Sequence, residues 1–377
     1  MARPLAGVKV VHLVSLGPGP YCAMLLADMG CDVTIVDRVH PMTVSVAQDK
    51  DPRRRGQKSI ALNLKSPDAL TVLHDLIRGA DVFIEGMRPG VAERMGAGPQ
   101  QCLSLNPRLI YARITGWGQD GPLAQRAGHD INYVALSGAL LAMGKPDEPP
   151  PVPLNLLGDY AGGGVFVALG IVSALYERQR SGCGQVIDGA IADGVGSLTT
   201  AVMGMLATGK WGKRGESLFD GSAPWYRTYA TRDGGFIAVG AIEPQFYKLL
   251  MEGLGLDPAR WDRSDPRVWP EMAEIFSTLF RAQDRDHWER VFAGTDACVS
   301  PVLSFAEAIS HPHHQARNAY FKLAGVVQPA VAPRLDGSAA QEISAPPAIG
   351  QDTDAVLRSL GRTNVNIAML RDNGAAA

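Results

Sequence analysis

The stretch VKVVHLVSLGPGPYCAMLLADMGCDVTIVDR, residues 8–38, decides the fold. Residues 8–14 and 32–37 are short runs rich in β-branched residues, typical of buried strands, and residues 21–29 between them favour a helix. Strands that alternate with helices fold as a parallel sheet with right-handed helical crossovers. The stretch therefore predicts the first strand, helix and strand of an α/β fold.

The same alternation continues through the first third of the chain. Residues 64–78 place apolar side chains on one helical stripe, and Ser66-Pro67-Asp68 is typical of a helix start. Further strands are predicted at residues 81–85 and 109–114, with helices at 90–95 and 99–105 between them. We therefore expect a doubly wound α/β domain with a mainly parallel sheet.

The second half of the chain has a different pattern. Residues 227–231 and 236–240 flank Asp233-Gly234-Gly235, a short hairpin signal, and helices dominate from there to about residue 310. This pattern predicts a smaller α+β domain. The expected boundaries are residues 1–200 for the large domain, 201–224 for a linker, 225–330 for the small domain and 331–377 for a C-terminal segment that returns to the large domain.

Composition and charge exclude several classes of function. The 377 residues carry 36 Lys and Arg against 38 Asp and Glu, so no basic field exists to hold nucleic acid or an anionic membrane. The five cysteines lack CxxC spacing, which disfavours a disulfide framework and a thiolate zinc site. The longest nearly unbroken apolar run, residues 165–176, is shorter than the roughly 18 residues of a membrane span. With no recognisable targeting signal, we expect a cytoplasmic protein without nucleic-acid or membrane partners.

A histidine-rich run, His311-Pro312-His313-His314, is the feature that most suggests a metal. It has no obvious carboxylate companion, which a metal site of this kind would be expected to have. We therefore expect the start of a surface helix there and no metal.

Three features bear on a phosphorylated ligand at the edge of the predicted sheet. The turn at residues 15–20 lies where a nucleotide-binding fold holds a pyrophosphate, but its prolines remove backbone donors, so NAD is disfavoured and a plain tight turn stays open. Arg38 ends the second strand and would suit a phosphorylated ribose, as in NADP or coenzyme A. Four cations lie within residues 51–58, and Arg88 and Arg94 lie on the third connection from strand to helix. These cations are either an anion site or a solvated surface.

The main catalytic candidates are a histidine after a glycine-rich loop and a carboxylate thirty residues later. His129 follows Gly128, and Asp159 precedes the glycines at 162–164, an expected helix start whose free N–H groups favour an anion. The alternatives are a structural histidine and a carboxylate that serves only as a helix N-cap. The residues alone leave both interpretations open.

Several motifs together resemble the alpha-methylacyl-CoA racemases of the family III CoA-transferase superfamily. The matching segments are residues 17–20, 36–38, 88–90, 114–118, 127–133, 159–164 and 239–246, which span nearly the whole chain. The resemblance implies the family III CoA-transferase fold and an interlocked homodimer. It also implies interconversion of (2R)- and (2S)-2-methylacyl-CoA thioesters, with branched fatty-acyl or sterol-side-chain tails, by 1,1-proton transfer through an enolate. No cofactor is implied beyond the coenzyme A of the substrate.

The resemblance also implies roles for individual residues. His129 and Asp159 would be opposed acid/bases, Glu243 would orient His129, and the backbone N–H of Asp130 would donate to the enolate oxygen. The contacts to coenzyme A would come from Arg38, Arg55, Lys58, Arg88 and Arg94. The alternative is a family III CoA transferase with Asp159 as nucleophile. Transferases of that kind generally carry another residue at the position of His129, so His129 favours the racemase.

Overall fold

A computed structural model describes residues 3–40, 46–335 and 343–377. The chain divides into two compact units. Unit 1 comprises Met1–Ser137, Pro153–Leu198 and Asn318–Ala377, and unit 2 comprises Gly138–Val152 and Thr199–Arg317.

Unit 1 is built on a six-stranded sheet in which every pair of neighbours is parallel. Its strands are β1 (Lys9–Leu13), β2 (Asp32–Arg38), β3 (Gln57–Leu62), β4 (Val82–Glu85), β5 (Ile110–Thr115) and β6 (Gln185–Ala190). The strand order is β3-β2-β1-β4-β5-β6, so the order reverses between β1 and β4. Open α/β sheets bind ligands at the carboxyl ends of their strands, at such a reversal. The predicted α/β class is confirmed.

Helices pack on both faces of this sheet. They are α1 (Pro18–Asp28), α2 (Pro67–Arg78), α3 (Val91–Met95), α4 (Pro99–Leu105), α5 (Asp130–Leu136), a π-helix (Leu156–Val165), α6 (Phe166–Ser181) and α7 (Ile191–Leu198). Val10 of β1 belongs to the apolar cluster of α1 and α6, whereas its neighbour Val11 belongs to the cluster of α2 and α4. Adjacent residues of a strand point to opposite faces, so the sheet is buried on both sides.

Unit 2 is the predicted α+β unit. Its elements are α8 (Thr200–Ala207), β7 (Tyr226–Ala230), β8 (Phe236–Gly240), α9 (Pro244–Gly253), α10 (Trp269–Arg281), α11 (Arg285–Phe292), β9 (Val299–Pro301), α12 (Phe305–Ser310) and α13 (Pro312–Ala316). The three strands are antiparallel in the order β7-β8-β9. Phe280 lies at the centre of an aromatic core, with Tyr229 and Trp288 each at 5.0 Å between ring centroids. Such large rings supply most of the apolar area that a small unit can bury.

The C-terminal segment completes unit 1. It forms β10 (Tyr320–Leu323), β11 (Val326–Pro329), α14 (Thr353–Ser359) and α15 (Asn364–Asp372). Leu357 and Leu370 pack into the apolar cluster of α2. The N–H of Ala377 donates to the carbonyl of Ala61 at 3.1 Å, beside β3. The last residues of the chain are therefore part of the core of unit 1.

The structure differs from the expected domain boundaries in three segments. Residues 138–152, expected in the large domain, lie in unit 2. Residues 201–224, expected to be a linker, contain most of α8 and lie in unit 2. Residues 318–330, expected in the small domain, lie in unit 1 with the β10-β11 hairpin. The hairpin belongs to unit 1 because Arg55 of that unit donates to the side chain of Gln328 at 2.9 Å and to the carbonyl of Pro329 at 2.8 Å.

The helical run Leu156–Ser181 begins before the helix start expected at residues 162–164. Its 26 residues are long and apolar enough to cross a membrane by length and composition alone, a test that the core helix of a soluble protein also passes. Ile171 and Leu175 are buried in the core of unit 1, whereas Leu169 and Tyr176 are exposed. One face of α6 is thus a core face and the other is an exposed apolar face.

Candidate active site

A pocket of about 560 Å³ opens in unit 1 where the strand order reverses. The connections after β1, β4 and β5 line it, together with the π-helix. Four of the predicted site residues line this pocket: His129, Asp159, Arg38 and Arg88. A larger cavity of about 1060 Å³ lies within unit 2 and is lined by none of them, so the chemistry of the lining, rather than size, selects the candidate site.

His129 is the residue immediately before α5. Its backbone N–H donates to Oδ1 of Asn132 at 3.0 Å, and its carbonyl accepts the N–H of Asn132 at 2.8 Å. These reciprocal bonds hold the main chain at the helix start while the residue lines the pocket. Asp130 is the first residue of α5, where a backbone N–H has no acceptor within the helix.

Two aromatic rings hold the loop that carries His129. Tyr133 and Trp117 meet edge to face with 4.7 Å between centroids, and the Tyr133 hydroxyl donates to the carbonyl of Gly128. A Cβ on Gly128 would lie 2.7 Å from the Tyr133 ring, and a Cβ on Gly116 would lie 2.0 Å from it. The glycines around the histidine therefore make room for the tyrosine ring.

Asp159 lies inside a helical run, so the interpretation of this residue as a helix N-cap is wrong. The π-helix begins at Leu156 with Asn155 as its N-cap, and Asp159 is its fourth residue. Short π-helical segments occur frequently at functional sites.

The three glycines after Asp159 serve helix packing rather than a helix start. A Cβ on Gly162 would lie 2.9 Å from a backbone nitrogen of α7, and a Cβ on Gly164 would lie 3.1 Å from a backbone oxygen of α1. A Cβ on Gly163 would lie 2.9 Å from the Pro18 side chain. The π-helix is therefore in close contact with both α1 and α7, which positions Asp159 in the pocket.

The environment of Asp159 favours its protonated form. Burial raises the pKa of Asp159, and so does the nearby Asp130 carboxylate, whereas a hydrogen bond from Asn155 and the charges of His129 and Arg53 lower it. The net direction is upward, which lets this carboxyl carry a proton nearer to neutral pH than an ordinary aspartate does.

The Asp159 carboxylate lies directly against the loop after β1. A Cβ on Gly17 would lie 2.6 Å from Oδ2 of Asp159, and Gly17 has a φ of 63°, a conformation that L side chains rarely adopt. Glycine is therefore required at position 17 by both its backbone and its neighbour.

The basic residues that were predicted to contact coenzyme A do not all line the pocket. Arg38 and Arg88 are exposed and line the pocket, as does Arg126, which sequence analysis missed because a lone arginine in a loop carries no pattern. Arg94 lies on α3 against Gly90, at the same edge of the sheet. Lys58 lies on β3 in an exposed ion pair with Asp32 at 2.8 Å and does not line the pocket.

Arg55 does not line the pocket, contrary to the expectation that it contacts coenzyme A. Its guanidinium is buried and forms a bidentate ion pair with Asp28, at 3.0 and 2.6 Å. The remaining donors reach Gln328 and Pro329. A buried cation with all of these partners holds α1 and the C-terminal segment together and has a structural role.

Glu243 lies in unit 2, immediately before α9, where its carbonyl accepts the N–H of Tyr247 at 2.9 Å. Cys298 is close to it: burial raises the pKa of the Cys298 thiol, and the Glu243 carboxylate adds to that effect. Unit 1 thus brings together His129, Asp130 and Asp159, whereas Glu243 belongs to the other unit.

The described ranges hold no cluster of three or more His, Cys, Asp or Glu side chains placed to bind a metal. The histidine-rich run forms the start of α13, where Nδ1 of His311 accepts the N–H of His313 at 3.3 Å. His311 therefore acts as a helix cap.

Known proteins match this chain over nearly its whole length. The model of CoA-transferase family III matches residues 5–353. The alpha-methylacyl-CoA racemases of Mus musculus and Homo sapiens are each 43% identical to this chain over 376 residues, which cover 98% of this chain and 96% of each enzyme. The crystal structure of a CAIB/BAIF family protein from Brucella suis matches with a TM-score of 0.82 at 26% sequence identity, covering 96% of this chain and 100% of that chain.

Proposed function

The chain belongs to CoA-transferase family III. We propose that it is an alpha-methylacyl-CoA racemase that interconverts (2R)- and (2S)-2-methylacyl-CoA thioesters. The observation that carries the proposal is that His129 and Asp159 line one pocket. The identity of 43% to two enzymes named alpha-methylacyl-CoA racemase supports the same activity.

The proposed reaction moves one proton off C2 and another onto it. In one direction the neutral His129 imidazole takes the C2 proton, and the electron pair of the C–H bond moves into the thioester to form an enolate. The protonated Asp159 then gives its proton to C2 from the opposite face, which inverts the centre and leaves an imidazolium and a carboxylate. In the other direction the two residues exchange roles.

The electrostatics of Asp159 support this scheme. Donation from Asp159 requires a carboxylic acid, and the pKa of Asp159 is raised by burial and by Asp130. We propose that the backbone N–H of Asp130, at the first position of α5, donates to the enolate oxygen. A fixed donor of this kind stabilises the negative charge as it develops.

We propose Arg38 and Arg88 as the principal contacts to the phosphates of coenzyme A, with Arg94 and Lys58 as secondary candidates. Arg38 and Arg88 are exposed and line the pocket that holds the acid/base pair. An arginine can bind a phosphate through two parallel hydrogen bonds. The reaction is a proton transfer, so it needs no cofactor beyond the coenzyme A of the substrate itself.

We propose that the active form is an interlocked homodimer and that Glu243, supplied by unit 2 of the second subunit, orients the His129 ring. Large exposed apolar side chains, including Leu169 and Tyr176 in unit 1 and Met203 and Leu206 in unit 2, are typical of a surface that another chain covers. Sedimentation equilibrium that finds only monomer at assay concentration would remove this part of the proposal.

The proposed activity is tested by incubating a single epimer of 2-methyldecanoyl-CoA with the protein in deuterium oxide. We expect deuterium at C2 and conversion to the other epimer, read by mass spectrometry and by chiral chromatography of the released acid. Unlabelled and uninverted substrate, across a panel of acyl chains, would reject the proposal.

The second candidate is a CoA transferase in which the Asp159 carboxylate attacks the thioester carbonyl. Its support is that the family model carries the transferase name and that Asp159 lies in the pocket. The carboxylate would displace coenzyme A and form a mixed anhydride with the acyl group. The coenzyme A thiolate would then attack the aspartyl carbonyl, which forms an aspartyl thioester and expels the donor acid as a free carboxylate. An acceptor carboxylate would repeat the same two steps in reverse, which gives the new acyl-CoA and frees Asp159. Trapping of an aspartyl thioester by hydroxylamine, with coenzyme A transfer to a free carboxylic acid, would favour this candidate.

A further inference from the structure

His12 is a buried ionisable residue of unit 1 that the proposed reaction does not use. Its side chain lies on β1 and is 2% exposed, with Nε2 3.2 Å from Oγ of Ser15. Its Nδ1 is buried and has no hydrogen-bond partner within the described part of the chain. A buried polar atom without a partner is destabilising and therefore needs an explanation.

His12 shares a small cavity with two other buried polar side chains. His12, Arg54 and Gln57 line a cavity of about 30 Å³. Nε of Arg54 and Oε1 of Gln57 are likewise buried without a partner among the described residues. A bound water needs roughly 10–15 Å³ of such space and two to four polar partners. The cavity thus has the size and the polar groups to hold a water.

The chemistry of the three groups sets the direction of their hydrogen bonds. Nε–H of Arg54 can only donate and Oε1 of Gln57 can only accept, so a water that bonds both has one hydrogen left for Nδ1 of His12. The other atoms of Arg54 and Gln57 are fixed: Arg54 holds Asp37 at 3.1 and 2.6 Å, and Nε2 of Gln57 donates to the Arg53 carbonyl at 2.6 Å. With such a water bound, His12 would carry its proton on Nε2, and this N–H would donate to Ser15.

The His12 ring stays neutral in the range where enzymes are assayed. Burial lowers the pKa of His12 to about 4; the Asp37 charge opposes this effect and the Arg54 charge adds to it. A neutral imidazole has one donor and one acceptor nitrogen, so the same direction of donation to Ser15 holds throughout that range.

Ser15 lines both this cavity and the pocket of His129 and Asp159. A Cβ on Gly19 would lie 2.1 Å from Oγ of Ser15, and a Cβ on Gly86 would lie 3.3 Å from its Cβ, so two glycines leave room for the side chain. Because Oγ accepts from His12, the hydroxyl hydrogen of Ser15 is directed to another acceptor.

We propose that Ser15 is a further binding residue of the pocket, whose hydroxyl donates to an oxygen of the bound acyl-CoA, and that His12 and a buried water are its positioning groups. The oxygen belongs either to the thioester or to the coenzyme A moiety. The identity of the ligand rests on the proposed function, whereas the coupling of His12 to Ser15 does not.

The test is a double-mutant cycle read by calorimetric binding of 2-methyldecanoyl-CoA and of free coenzyme A. We expect Ser15→Ala to weaken binding about three- to tenfold, the value of one neutral hydrogen bond. His12→Leu should weaken binding to the same extent, and the double variant no further than Ser15→Ala alone. His12→Gln should keep most of the affinity, because its amide can donate in place of Nε2–H. Ser104→Ala, at an exposed serine of α4, is the matched control.

The following outcomes decide the proposal. If Ser15→Ala weakens the binding of acyl-CoA but not of free coenzyme A, the acceptor oxygen belongs to the thioester. If it weakens the binding of both equally, the acceptor belongs to the coenzyme A moiety. The proposal is overturned if Ser15→Ala binds both ligands as tightly as the native protein does. It is also overturned if the loss of affinity in the double variant equals the product of the losses in Ser15→Ala and His12→Leu. If His12→Leu does not fold, Ser15→Ala and His12→Gln still decide it. Loss of binding in Ser15→Ala without any racemisation by the native protein would reject the proposed function and leave Ser15 as a binding residue.

Discussion

The backbone N–H of Asp159 donates to Oδ2 of Asp130 at 2.6 Å. Asp130, the residue after His129, therefore holds the main chain of Asp159 in place. His129 and Asp130 are adjacent at the start of α5, and Asp159 lies on the π-helix. One hydrogen bond therefore links the two elements that carry the acid/base pair. It also places the Asp130 carboxylate where its charge acts on Asp159.

Asp130→Asn is expected to shift the pH dependence of racemisation. The Asp130 charge is one of the causes that raise the pKa of Asp159, so its removal lowers that pKa, while an amide oxygen can still accept the Asp159 N–H. In the direction where Asp159 removes the proton it must be ionised, so the rise of kcat/KM with pH should move to lower pH. In the opposite direction the protonated form should be lost at lower pH.

Profiles of kcat/KM against pH for each epimer measure this shift, with Asp147→Asn, at an exposed acid of unit 2, as control. An unmoved profile in Asp130→Asn would show that the Asp130 charge does not act on the proposed base.

Gly128→Ala is expected to disrupt the loop that carries His129. Its Cβ would lie 2.7 Å from the Tyr133 ring, and the resulting shift should lower kcat/KM at least about tenfold and destabilise the protein by about 1–3 kcal/mol. The control is Gly204→Ala on α8, where nothing lies within 4 Å of the new Cβ. Urea unfolding and steady-state kinetics of both variants provide the comparison. Equal effects in the two variants would contradict the packing argument.

Tyr133→Phe removes one hydroxyl and keeps the ring. The lost hydrogen bond to the Gly128 carbonyl should lower stability by about 1 kcal/mol and reduce kcat/KM severalfold through a looser His129 loop. Ser104→Ala, which removes an exposed hydroxyl on α4, should change neither quantity. If Tyr133→Phe also leaves both unchanged, the hydroxyl does not hold the loop.

Arg55 and Arg88 should respond to substitution in opposite ways. Arg55→Met leaves the Asp28 carboxylate buried without its partner and should cost about 3–5 kcal/mol of stability, with the KM of the folded protein for acyl-CoA little changed. Arg88→Ala should leave the melting temperature nearly unchanged and raise KM about tenfold, an effect that shrinks at high salt. A large KM effect from Arg55→Met would reinstate it as a contact of coenzyme A.

Local pattern was sufficient to predict β1 and α2. β1 and α2 follow from a β-branched run and from a helical apolar stripe with Pro67 at its first position. The likeness of seven motifs along the chain predicted the family, and two of them, residues 127–133 and 159–164, contribute side chains to the pocket.

Other features depend on contacts distant in the chain and were not predictable from local pattern. β3 begins with Gln57 and Lys58 next to a cation run, so no apolar alternation marks its start. Glycine disfavours a helix interior, which made residues 162–164 resemble a helix start, but their contacts with α1 and α7 override that preference. The charge of Arg55 suggested an anion site, whereas its partners lie 27 and 273 positions away.

The most direct test of the two-base account follows deuterium uptake at C2 of each epimer in deuterium oxide with His129→Ala and Asp159→Ala. Both variants should still bind acyl-CoA and lose racemisation by at least about a hundredfold. Each should exchange the C2 proton of one epimer only, and the two variants should act on opposite epimers, because the remaining base reaches a single face. Undiminished racemisation by either variant, or exchange of both epimers by one variant, would contradict the account.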